Sequence, residues 1–179
     1  MRRMFLLCGV LLLLAAAGLT LWQISNQRQI AQRTETLLQQ RASPDTAARP
    51  LPQKNAPAPA FATLHIPKLE LTLPVQPSCS AAQLELSPCR YAGTAAAADL
   101  VIAGHNYAAH FGALHRLQAG DAVTYTAFDG ATYRYRVTAV EVLGAAAVGE
   151  MTQSGADLTL FTCTVGGKNR IAVRCESVA

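Results

Sequence analysis

Residues 61–179 predict a mainly β domain: a closed or nearly closed, antiparallel-rich barrel of seven or eight short strands with little helix. Three observations carry this. Short apolar runs recur between turn-forming clusters, at 62–66, 69–75, 100–103 and 158–162. Tyr133, Tyr135 and Val137 alternate with Arg134, Arg136 and Thr138, the period-two pattern of a half-buried strand. Asp129-Gly130 stands between two β-rich runs, a strong local hairpin signal because both residues tolerate the positive φ of tight two-residue turns.

In order, the chain opens with Arg2 and Arg3 and then an apolar run over 5–22. That length is near the lower limit for a spanning helix and long for the core of a signal peptide. Residues 1–24 are expected to be a retained N-terminal transmembrane helix, with Trp22 suited to the interface. A cleaved signal peptide, with Ala15-x-Ala17 as the processing site, is the alternative. Residues 25–60 form a polar, Pro-rich linker. Its first half is rich in Gln, Arg and Leu, and its second half carries Pro44, Pro50, Pro52, Pro57 and Pro59. Strands follow at 62–66 and 69–75, punctuated by Pro67 and Pro74. Residues 80–86 predict one or two helical turns with Ser80 as N-cap. The fully apolar 100–103 predicts a central strand. Phe111, Leu114 and Leu117 fall at helical spacing within 110–117, and 118–121 is a turn. A hairpin over 122–128 and 132–143 comes next, then a loop over 144–155. A final hairpin pairs 158–162 with 170–175, whose alternating charged and apolar residues predict a half-buried strand, through Gly166-Gly167-Lys168-Asn169.

Charge and cysteines narrow the function. Residues 1–60 hold seven basic and two acidic residues, a balance of +5, and the remainder holds eight and nine, a balance of −1. The basic surplus therefore belongs to the N-terminal region, and the domain has no basic surplus to suggest nucleic acid. Cys79 and Cys89 lie ten apart across the expected helix, where a disulfide and a free buried pair both remain open. Cys175, five residues beyond Arg170 on one strand, faces the opposite side as a packing thiol.

Cys163 differs from the others. It ends an apolar run immediately before a turn, and the return strand begins with Arg170. A thiol at a strand end beside a guanidinium is placed to act as a nucleophile with a cationic partner for an oxyanion. Gly104-His105-Asn106 ends another apolar strand, which puts an imidazole at a second strand end. Cys and His on separate strand ends suit thiol catalysis.

Thr159-Leu160-Phe161-Thr162-Cys163 with Arg170, together with Gly104-His105-Asn106 and the run 66–75, resembles the sortases, cysteine transpeptidases of Gram-positive cell surfaces. The resemblance covers 62–176. It implies an eight-stranded barrel with Cys163 as nucleophile, His105 as general acid/base and Arg170 as the stabilising arginine. It also implies a domain held outside the cell by a single-pass anchor. The enzyme would cleave a Leu-Pro-x-Thr-Gly-like sorting signal in surface proteins through a thioacyl-enzyme. It would then pass them to an amine of a cell-wall precursor or a pilin-type lysine, with no cofactor or metal. Asn106 and Thr162 flank the pair and are candidates for orienting it or the substrate.

Arg174 rivals Arg170 but lies farther from Cys163 and reads as a rim or surface charge. His110 and His115 read as a surface and a half-buried histidine, and Asp99 and Asp157 as turn formers. No Asp-Pro-aromatic lid precedes the barrel, the 144–155 connection is short, and no acidic cluster for calcium is evident. These departures speak against the pilin-polymerising type and the type with a long helical insertion. The alternatives are a catalytically inactive, membrane-tethered binding or scaffold barrel, and a hydrolytic cysteine peptidase.

Overall fold

In the computed structural model the described residues are 61–178 together with residues 14, 16–18, 32 and 36. The expected anchor over 1–24 and linker over 25–60 lie almost wholly outside them. Among the described residues no helix is long and apolar enough to cross a membrane.

Eight strands form one sheet: β1 Ala62–Ile66, β2 Leu71–Val75, β3 Cys89–Ala92, β4 Leu100–Ala103, β5 Ala122–Thr126, β6 Thr132–Gly144, β7 Leu158–Cys163 and β8 Asn169–Ser177. Their spatial order is β2-β1-β5-β6-β8-β7-β4-β3, antiparallel except for the parallel pair β4–β7. The two outer strands then meet. Gln76, just past β2, bridges Cys89 at the head of β3: its amide donates to Pro88 O at 2.9 Å and its carbonyl accepts from Arg90 N at 3.0 Å. One bridge thus nearly closes the barrel and covers edges that would otherwise offer unpaired amides.

Alternation along the strands sorts side chains to two faces. Leu64, Ile66, Leu73, Leu100, Ile102, Tyr135, Val137, Leu158, Leu160, Val173 and Cys175 fill the barrel interior. On the outer face of β3, β4, β7 and β8 a second cluster gathers Cys89, Val101, Ala103, Phe161 and Ala172. Two short helices, α1 Ala81–Leu86 and α2 Val148–Thr152, supply the half-buried Leu84 and the buried Met151 that pack on it.

The mainly β, eight-stranded architecture matches the expectation, as does the β5–β6 hairpin. So does Ser80, whose hydroxyl accepts the Gln83 amide at 3.2 Å as the N-cap of α1. Asp99 accepts the Thr94 amide at 2.8 Å, consistent with a turn former. Four details differ. The second strand begins only at Leu71, because Pro67–Leu69 turn as a 3-10 helix ended by Glu70 at φ 53°. Phe111, Leu114 and Leu117 are buried as expected, but turns and a 3-10 segment, Leu114–Arg116, carry them, since a three-residue repeat suits that period. The 144–155 connection is not all loop: α2 forms there because Met151 finds the outer cluster. Last, 170–175 is not half-buried. Ala172 to Cys175 are covered on both faces. The open question of Cys79 and Cys89 resolves as a disulfide, with Cα atoms 5.2 Å apart.

Candidate active site

The β7–β8 hairpin is tight because Gly166 and Gly167, at φ +81° and +73°, both occupy left-handed backbone that side-chained residues rarely adopt. The Thr164 amide donates to Asn169 O at 2.9 Å and locks the turn. In this register Cys163 stands directly opposite Arg170, on the outer face with Phe161 and Ala172. The Arg170 Nη1 donates to Gly167 O at 3.0 Å and Asn169 O at 3.1 Å, so turn carbonyls fix the guanidinium at the hairpin turn. Cys163 is half-buried and free, whereas Cys175 is sealed in the core, where burial pushes its thiol up to about 12. Of the described free thiols, only Cys163 reaches solvent.

The parallel pairing of β4 with β7 sets the height of His105. Ala103 pairs with Phe161, and the Gly104 amide continues the ladder to Phe161 O at 3.1 Å. His105 and Cys163 therefore each lie two residues beyond one paired position, at the same end of neighbouring strands about 4.8 Å apart. Gly104 is required by packing: a Cβ there would lie 2.5 Å from the Phe111 ring. The Phe111 amide donates to His105 O at 3.1 Å, so the turn that packs Phe111 also fixes the His105 backbone.

Around the imidazole are groups that sequence reasoning missed. Tyr107 stacks on it with ring centroids 4.7 Å apart, and Glu85 of α1 brings Oε1 to 3.2 Å from Nε2. That approach is close but out of line for a hydrogen bond, because the solvent-sealed Nε2 has no aligned acceptor. The Tyr107 hydroxyl donates to Glu85 Oε2 at 3.4 Å, and desolvation, then the carboxylate, holds the phenol above its ordinary pKa. The only sequence signal for Glu85 was its place on a capped helix, which names no partner.

The other expected residues fall as follows. Asn106 is half-buried in the turn after His105. Thr162 does not share the face of Cys163; it is buried on the interior side, and its Oγ1 has no hydrogen-bond partner among the described residues. His110 is neither surface nor half-buried. It is fully buried, neither ring nitrogen has a partner among the described residues, and burial followed by the nearby His105 lowers its pKa to about 4. His115 is exposed, with Nδ1 3.0 Å from Gly112 O. Arg174 is not a rim charge either. At 7% exposure it donates to Glu141 Oε2 at 3.0 Å, Thr159 Oγ1 at 3.1 Å and Glu150 O at 2.8 Å, tying α2 to the barrel. Those commitments leave Arg170 as the arginine paired with Cys163 across the ladder.

Known proteins share this fold. A family model for the sortase domain matches residues 64–178. Among solved structures, the chain is similar to sortase C1 from Streptococcus agalactiae, at 25% identity over 67% of this chain and 68% of that one, TM-score 0.58. It is similar to sortase C1 from Streptococcus suis, at 24% over 66% and 73%, TM-score 0.57. It is also similar to sortase A from Corynebacterium diphtheriae, at 21% over 88% and 84%, TM-score 0.57. No curated protein matches the chain. The domain match spans more than half the sequence and takes in both strand ends that carry His105 and Cys163, so the chain belongs to the sortase family.

Proposed function

We propose that this protein is a membrane-anchored cysteine transpeptidase that uses Cys163, His105 and Arg170. The observation that carries this is the register that puts Arg170 directly across from the one described thiol reaching solvent, with His105 level with it on the parallel neighbour. The Cys163 thiolate attacks the scissile carbonyl carbon, forming a C–S bond and moving the carbonyl electrons onto oxygen. The Arg170 guanidinium, fixed by the turn, donates to that oxyanion. As the tetrahedral centre collapses, the C–N bond breaks and His105 gives its proton to the departing amine. A second amine then attacks the thioacyl carbon, His105 takes its proton, and the Cys163 thiolate leaves.

The substrate is a surface protein bearing a Leu-Pro-x-Thr-Gly-like sorting signal, and the acceptor an amine of a cell-wall precursor or another protein. Support comes from a structural neighbour, a sortase C from Clostridium perfringens with the C-terminal cell wall sorting motif. Residues 1–24 hold the chain in the membrane as a single pass and 25–60 tether the domain outside the cell. The apolar run over 5–22 and the five linker prolines support this placement.

The test is product analysis of the full chain with a sorting-signal peptide, with and without a glycine-based amine. Amine-dependent ligation is expected. Cleavage to free acid at the same rate regardless of amine would make the protein a hydrolase.

A further inference from the structure

We propose that Glu85 is a positioning residue for His105, fixing which ring nitrogen holds the proton; the rate consequence rests on the transpeptidase function above, and the ring geometry does not. Glu85 Oε1 lies 3.2 Å from Nε2, and that nitrogen is closed to water. A sealed ring nitrogen needs an acceptor, and a small rotation of the Glu85 side chain would supply one. Proton donation from Nε2 to the carboxylate leaves Nδ1 as the nitrogen that exchanges a proton with the thiol or the departing amine. This is the usual relation of a catalytic base to a third, orienting group.

The surroundings keep the Glu85 carboxylate near the ring although its side chain is 60% exposed. Tyr107 engages both partners at once, stacking on His105 and donating to Oε2. The helix that carries Glu85 is closed at its base by the Cys79–Cys89 disulfide and by the Gln76–Cys89 bridge. Within that loop Gln76 Nε2 donates to the buried Ser87 Oγ at 3.2 Å, and Ser80 caps the helix. A carboxylate contact this exposed on the Glu85 side contributes little to stability, so its consequence is the orientation of the ring.

The experiment compares the full chain, labelled with nitrogen-15 histidine, with Glu85→Ala and Glu85→Gln. It reads the His105 ring-nitrogen shifts, kcat and KM for amine-dependent transfer of a Leu-Pro-x-Thr-Gly peptide, and the thermal midpoint. Wild type is expected to show one tautomer at His105, and Glu85→Ala to show averaged shifts with an unchanged midpoint. In Glu85→Ala, kcat is expected to fall about ten-fold while KM stays within about two-fold. Glu85→Gln, whose amide oxygen still accepts from Nε2, is expected to keep the tautomer and to lie between the two in kcat. Averaged shifts in wild type, or a Glu85→Ala protein with wild-type shifts and kcat, would overturn the proposal. Should Glu85→Ala not fold, Glu85→Gln decides: kcat below wild type supports the role, and kcat equal to wild type rejects it. If no variant and no wild-type protein forms product, the transpeptidase function fails, and the His105 shifts alone decide the role of Glu85.

Discussion

Cys163 and Arg170 face each other directly across the β7–β8 ladder, joined by a turn whose carbonyls hold the guanidinium in place. Backbone geometry therefore holds a guanidinium on the same hairpin as the thiol, so the charge that the proposed reaction needs does not depend on a mobile side chain finding its position.

Arg170→Ala is expected to lower kcat about 100- to 1,000-fold, the usual cost of losing an oxyanion donor. Arg170→Lys should recover little, since an ammonium cannot span the turn carbonyls and the reacting oxygen as a planar fork does. Steady-state kinetics on the two variants checks this, with thermal midpoints near wild type because the bonds lost lie on an exposed turn. Activity of Arg170→Ala within a few-fold of wild type would remove Arg170 from the site.

Gly104→Ala is expected to destabilise the protein by about 1–3 kcal/mol and to displace His105, because the added methyl meets the buried Phe111 ring at 2.5 Å. Denaturant unfolding and transfer rates should both fall. A variant as stable as wild type would show that the Phe111 turn yields more easily than its packing implies.

Much of the fold was legible because it depends on local pattern. Tyr133, Tyr135 and Val137 alternate as a half-buried strand must, and Asp129-Gly130 marks the hairpin. Cys163 and His105 were legible as strand-end residues, but their common height was not, because it comes from the parallel register of β4 and β7, which pairs segments almost sixty residues apart. Arg174 looked like a surface charge because its acceptors, Glu141, Glu150 and Thr159, are distant in sequence. Glu85 was invisible for the same reason: a carboxylate on a short exposed helix gains meaning only when barrel closure at Gln76 and Cys89 brings it to His105, just past β4. His110 reads as polar in sequence, yet the Phe111–Leu117 turn carries it into the interior.

His110 should make stability depend on pH. Its folded pKa of about 4 lies below the ordinary 6.5, so between those values the unfolded chain binds a proton that the folded chain refuses. Stability from this group is thus fully present above pH 6.5 and declines as pH falls toward 4. Thermal unfolding of His110→Leu and wild type at pH 8 and pH 5 should show the variant gaining roughly 2 kcal/mol relative to wild type at the lower pH. A difference that does not change with pH would mean that the buried imidazole finds a proton-accepting partner.

Tyr135 is buried, and its hydroxyl has no hydrogen-bond partner among the described residues; burial raises its pKa well above the ordinary value. Tyr135→Phe removes an unsatisfied polar atom without changing the ring, so stability is expected to hold or rise by about 1 kcal/mol. A clear loss in urea unfolding would show that the hydroxyl is bonded in solution.

Intact-mass and peptide-mapping analysis of the full chain after brief exposure to a Leu-Pro-x-Thr-Gly peptide, without added amine, tests the central claim most directly. The expected result is an acyl adduct mapped to Cys163 that an added amine discharges and that Cys163→Ala lacks. An adduct on another residue, or peptide turnover retained by Cys163→Ala, would contradict it.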